Sequence, residues 1–142
     1  MLLGDFTQED FVKINKFGKY FGRAFQIYDD LIDLIYEKEN QDIINRNKTF
    51  PFVYITNSGS LRNKKTLLEG YEKITNKDVN HFRDILIELI EEENVISIAL
   101  DEIKSQISKA QDNLKEMGEI KELTNLCSHL VSDYKNKSKE FL

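Results

Sequence analysis

The sequence predicts an all-α helical bundle, and three observations predict it. Apolar residues recur at spacings of three and four over long stretches, at Phe11, Ile14, Phe17, Phe21, Phe25, Tyr28 and Ile32 and again at Ile96, Leu100, Ile103, Ile107, Ala110, Leu114 and Met117. That is the period of a helix with one buried face. Polar punctuation of the kind that starts and stops helices separates such stretches, at Asn57-Ser58-Gly59-Ser60, at Thr75-Asn76 before Asp78, and at Gly118 before Glu119. No run alternates as a half-buried strand does, and no Gly-rich phosphate loop, metal-spaced cysteine pair or internal repeat breaks the pattern. The 142 residues are expected to form a single helical domain over 1–142, burying roughly two-thirds of the surface of the unfolded chain.

Taken in order, Thr7 with Asp10 three residues later gives a capping-box-like start, with an acid at the positive end of the helix. One long helix is expected from about Gln8 to about Glu37. Gly18 and Gly22 lie inside it, each costing roughly 1 kcal/mol against alanine, which predicts the close approach of a neighbouring helix. Lys38 to Lys48 is polar and loses the helical period, so it reads as a loop. Thr49-Phe50-Pro51 starts a short apolar helix through roughly Ile55, with Pro51 in the first turn where its missing N–H costs least. Further helices are expected near 61–73, 77–91, 93–117 and 120–140, about six in all, and the stripe from Ile96 to Met117 reads as core.

Net charge is −5 with 32% charged residues, which leaves no electrostatic footprint for nucleic acid or an anionic membrane. Lys135, Lys137 and Lys139 near the C-terminus carry no assigned role. A single cysteine, Cys127, has no partner for an internal disulfide, and Leu123, Leu126 and Leu130 around it predict a buried thiol in a reducing compartment. Asp5, Glu9 and Asp10 with no basic leader and no long apolar run argue against a signal peptide or transmembrane segment. The expectation is a soluble, cytoplasmic chain.

The stretch Phe21–Leu34, FGRAFQIYDDLIDL, puts three aspartates into an otherwise apolar helical run. Gln26, Asp29 or Asp30, and Asp33 stack along one helix face, which Glu37 extends. Like charges one turn apart repel by roughly 0.2–0.5 kcal/mol per pair, and an apolar neighbourhood raises that cost, so a cation on this face is one reading. A hard divalent ion such as Mg²⁺ suits it, because Mg²⁺ takes oxygen ligands, keeps waters, and binds through one or two carboxylates plus substrate phosphates. The other reading is a solvated acidic face. Phe25, Ile27, Tyr28, Leu31 and Ile32, apolar on nearly every other side, weigh against it.

The string FQIYDDLID, followed after a short loop by DIINRNKTFP, resembles the second aspartate-rich motif of the all-trans polyprenyl (isoprenyl) diphosphate synthases, usually FQxxDDxxD. The resemblance implies an isoprenoid-synthase-type helical fold and a Mg²⁺-dependent prenyltransferase that binds an allylic diphosphate and condenses it head-to-tail with isopentenyl diphosphate. Asp29, Asp30 and Asp33 match the metal-binding carboxylates, and Asp29 and Asp33, one turn apart, can share an ion. Gln26 matches a glutamine implied to lie beside the substrate, or else satisfies a neighbouring backbone group. Lys38 and Asp42, four apart, match a lysine that touches diphosphate and an aspartate that holds a metal-bound water. Where the family commonly has a lysine two residues before the threonine of Thr-x-Pro, this chain has Asn47; Lys48 or Arg46 is expected to take its place. His81 and His129 have no ligand partners at suitable spacing and read as ordinary histidines.

The family uses a first acidic motif as well, together with nearby arginines and a homoallylic pocket, and none of these is found in the sequence. The chain therefore looks like a C-terminal half. It is expected to be a natural half working with a partner chain that supplies the first motif, a truncated product, or a non-catalytic helical interaction or regulatory subunit. Phe6, Phe11, Phe17, Phe21 and Phe25 offer more aromatic surface than one side of a small bundle readily covers, so a hetero-oligomer or homodimer is expected.

Overall fold

The computed structural model describes residues 7–36, 40–75, 78–115 and 121–141. Phe6, Glu37, Lys38, Asn76, Met117, Gly118 and Glu119 lie outside the described residues. Among the described residues there are seven helices and no strand: α1 (Gln8–Tyr36), α2 (Gln41–Ile44), α3 (Phe50–Ser58), α4 (Leu61–Glu72), α5 (Val79–Glu92), α6 (Val95–Lys115) and α7 (Lys121–Phe141). The chain gathers into two compact units, one made of residues up to Gln26 with Leu100–Glu140, the other of Ile27–Ala99. No described helix is long and apolar enough to cross a membrane.

In the first unit α1 opens with the capping box read from the sequence. The Asp10 amide donates to Thr7 Oγ1 at 3.2 Å and the Thr7 amide donates to Asp10 Oδ2 at 2.9 Å, satisfying two donors the helix itself leaves orphaned. The Thr7 amide in turn holds the Asp10 carboxyl below the usual carboxylate range. Phe17 is buried with its ring stacked on Phe21 at 5.7 Å, whereas Phe11 and Phe25 are 50% and 47% exposed. Ile103, Ile107, Ala110 and Leu114 are buried along α6 as the stripe predicted, and Cys127, Leu130 and Tyr134 are buried along α7. Burial pushes the Cys127 thiol up, which keeps it protonated and unreactive. Among the described residues no neighbouring helix makes the close approach expected at Gly18 and Gly22. Both glycines are exposed, and a Cβ built on either would meet nothing within 4 Å among the described residues.

In the second unit α3, α4 and α5 pack on one another and α2 packs on α5, around Leu31, Pro51, Phe52, Ile55, Leu67, Phe82, Leu86, Leu89 and Ile90. Two boundaries differ from expectation. The loop from residue 38 to 48 contains the one-turn helix α2, entered through Asn40 in the left-handed region at φ 53°, a conformation asparagine tolerates better than most residues. The turn expected over 57–60 shrinks to Gly59-Ser60, because Asn57 and Ser58 continue α3.

At that turn a Cβ on Gly59 would lie 2.6 Å from the Ile55 carbonyl oxygen, so only glycine fits without a shift. Glu93, just past α5, closes the same corner: its Oε1 accepts from the Ser60 amide at 2.8 Å and from Asn63 Nδ2 at 2.7 Å. The Ser60 amide and then the Asn63 amide hold the Glu93 carboxyl below its ordinary value of 4.5. Because the folded pKa is depressed, this contribution is fully present above the ordinary glutamate value and is lost as acid carries the pH down through the folded one. Glu93→Gln is therefore expected to flatten the loss of stability below about pH 5. Urea titrations of both proteins between neutral pH and pH 3 measure this, and parallel acid profiles would contradict it.

Candidate functional site

The last turns of α1 carry the aspartates, and two contacts fix where they point. Asp30 Oδ2 accepts from the Phe50 amide at 2.9 Å. Phe50 is the first residue of α3, Thr49 makes no side-chain cap bond, and Pro51 brings no N–H, so Asp30 serves as the cap from a neighbouring helix, at the end where the helix dipole favours an anion. Arg83 on α5 reaches the other end of the motif. Its Nε and Nη2 donate to the Leu34 carbonyl at 3.1 and 2.9 Å, and Nη2 also donates to the Ile35 carbonyl at 3.1 Å. Those carbonyls belong to the last turn of α1 and have no partner within the helix.

Replacing Arg83 by leucine strips a charged donor from both carbonyls and is expected to cost about 1–3 kcal/mol. Chemical denaturation reads it. A change below a few tenths would mean that water replaces the guanidinium without loss.

The connection after α1 brings further oxygens to the same place. Asn47 Nδ2 donates to Asp42 Oδ1 at 2.8 Å, the Asn47 amide donates to the Asp42 carbonyl at 2.9 Å, and the Thr49 amide donates to the Asn47 carbonyl at 3.1 Å. Asn40 donates to Asn80 Oδ1 at 3.0 Å and so ties the connection to α5. The result is a small cavity of about 30 Å³ with a polar side formed by Asp30, Asp33, Asn40, Gln41, Asp42, Asn47 and Thr49 and an apolar side formed by Leu34, Ile43, Phe52, Tyr71, Phe82 and Leu86. The Tyr71 ring lies 4.6 Å from Phe52 and 6.0 Å from Phe82. Its hydroxyl is shut off from solvent and has no hydrogen-bond partner among the described residues. Burial pushes the phenol up, and the positive charge of Arg46 opposes that only in part.

Of the residues singled out from sequence, Asp30, Asp33 and Asp42 come together on this cavity. Asp29 is half-buried on the same helix but does not line it. Gln26 is exposed and falls in the first unit. Lys48 is exposed, and Arg46, also exposed, donates from Nη2 to the Ile74 carbonyl at 3.4 Å; neither lines the cavity. Arg46 has φ 55°, so the chain turns there and directs the guanidinium to the end of α4 instead. Lys38 lies outside the described residues. Both histidines, His81 and His129, are exposed. Sequence reasoning missed Asn40, Thr49 as a lining residue, Tyr71 and Arg83.

Among the described residues no three His, Cys, Asp or Glu side chains gather closely enough to cage a metal ion. The donor set is nonetheless of the kind a hydrated hard cation takes. Carboxylates, amides and a hydroxyl face one cavity, and Mg²⁺ needs only one or two carboxylates when waters and phosphates complete its shell.

Among the described residues the fold is all-helical and turns an aspartate-bearing helix end toward an oxygen-lined cavity. The family model described as polyprenyl synthetase matches residues 1–89 of the 142, and the chain belongs to the polyprenyl synthetase family. Membership implies a prenyltransferase on an all-α isoprenoid-synthase fold. No curated protein and no solved structure matches the chain.

Proposed function

We propose that this chain is the Mg²⁺-dependent part of an isoprenyl diphosphate synthase, one that binds an allylic diphosphate for head-to-tail condensation with isopentenyl diphosphate. The observation that carries this reading is the meeting of Asp33 and Asp42 with Asp30 on one oxygen-lined cavity. Asp33 and Asp42 are the carboxylates that hold the ion, and Asp29 completes the acidic face. Asn47 orients Asp42, Arg83 fixes the helix end that presents Asp33, and Asp30 anchors the start of α3. When bound, Mg²⁺ neutralises the charge that builds on the leaving diphosphate as the carbon–oxygen bond ionises. Gln26, Lys38, Lys48 and Arg46 lie along the same stretch of chain and assist the substrate. The first acidic motif, which the reaction also uses, comes from sequence outside these residues, in a partner chain or in the same polypeptide. Exposed Phe11 and Phe25 suit a hetero-oligomeric partner or a second copy. A cytoplasmic setting keeps buried Cys127 a thiol.

A second reading, a non-catalytic helical interaction subunit, draws on the cap that Asp30 makes to Phe50, a structural use for a motif carboxylate. Calorimetry with a non-hydrolysable allylic diphosphate separates the two. The synthase reading expects binding that requires Mg²⁺ and disappears with a chelator, together with isopentenyl incorporation only when a first motif is supplied. Binding indifferent to Mg²⁺, or none in either condition, favours the interaction subunit.

A further inference from the structure

We propose that Tyr71 is a positioning residue of the diphosphate site, its hydroxyl donating to an ordered water that bridges to the cavity carboxylates of Asp33 and Asp42. The inference rests on the metal–diphosphate reading above for its functional half, and on the cavity alone for its structural half.

The ring of Tyr71 is held on both sides, by Phe52 and by Phe82, so the hydroxyl has little freedom to swing out to solvent. Its oxygen is inaccessible and none of the described residues accepts from it. A phenylalanine would pack there equally well, and an unsatisfied buried hydroxyl carries a substantial desolvation penalty. Tyr71 lines the same cavity as Asp33 and Asp42. With about 30 Å³ the space admits roughly two water molecules, and it is polar enough on one side to hold them. A water there accepts a hydrogen bond from the Tyr71 hydroxyl and donates its own to carboxylate oxygen, which keeps the carboxylates turned inward. Gly70 lets this geometry form, because a Cβ at that position would press on the Phe82 ring at 3.0 Å.

The test is Tyr71→Phe in the full chain, which keeps both ring contacts and removes only the hydroxyl. A high-resolution crystal structure of the unaltered protein is expected to show a water within hydrogen-bonding distance of Tyr71 Oη and of a cavity carboxylate. Calorimetry with inorganic pyrophosphate and Mg²⁺ is expected to show affinity falling about tenfold in the variant, as for other outer-shell partners of a metal site, with an unchanged melting midpoint. In a double-mutant cycle with Asp33→Asn the two losses are expected to be non-additive, which a merely structural role would not produce. A dry hydroxyl in the crystal structure, equal affinity in Tyr71→Phe, or additive losses each overturn the proposal. If the unaltered chain binds no pyrophosphate with Mg²⁺, the diphosphate reading falls and takes the positioning role with it, while the crystallographic water still decides the bridge.

Discussion

Asp33→Ala is expected to weaken Mg²⁺-dependent diphosphate binding by roughly tenfold to a hundredfold, with a smaller effect on stability. Asp33 lines the cavity from the last turns of α1, one helical turn beyond Asp29. Its carboxylate contributes a formal charge and oxygens that neither an amide nor a methyl replaces. Asp30→Ala is expected to behave differently. Losing the acceptor for the Phe50 amide removes the cap of α3 and costs about 0.5–2 kcal/mol, so the variant loses stability together with binding. Asp30→Asn restores the acceptor without the charge and separates those two effects. Calorimetry and urea denaturation on the same three variants measure the pattern. Asp33→Ala binding as well as the unaltered chain would remove the metal from this end of α1.

Phe52→Ala is expected to produce the largest loss of stability, about 3–5 kcal/mol. Phe52 is only 8% exposed, sits in the first turns of α3 beside fully buried Pro51, and packs its ring at a tilt on Tyr71 with centroids 4.6 Å apart. Truncation leaves a void at the wall between core and cavity, because helices α3, α4 and α5 are already packed against one another and cannot collapse freely. Against a total of about 5–15 kcal/mol for a domain, that is enough to unfold a sizeable fraction of the protein at elevated temperature. A denaturant midpoint that barely moves would show that Phe52 is not part of the core.

The long helices were legible because their apolar period is long and regular: α1 and α6 match their predicted spans to within two residues. Helix α2 was not, since four residues carry too little pattern, and it is held from outside by the bond between Asn40 and Asn80. The aspartates announced themselves by standing in an apolar run. Which of them share a cavity was not legible, because that depends on the cap Asp30 makes twenty residues along the chain. Arg46 and Lys48 were read as phosphate ligands by proximity in sequence, and the bond from the Arg46 guanidinium to the Ile74 carbonyl was not legible, because Arg46 itself takes a left-handed conformation. Arg83 acts on carbonyls 48 and 49 residues away, and no local pattern marks such a residue. Tyr71 in the sequence is one more aromatic on an amphipathic helix, and only the neighbours of its hydroxyl distinguish it.

The Asp30–Phe50 and Arg83–Leu34 bonds share a consequence. They tie the C-terminal end of one helix and the N-terminal end of another to the same short segment, so the sites where fraying ordinarily begins are cross-braced. The Phe50 amide at the start of α3 is then expected to exchange more slowly than an unbraced helix-end amide, because its release needs the end of α1, held by Arg83 of α5, to loosen too. Local breathing around the acidic residues is expected to be coupled between the two helix ends, which amide hydrogen exchange measures.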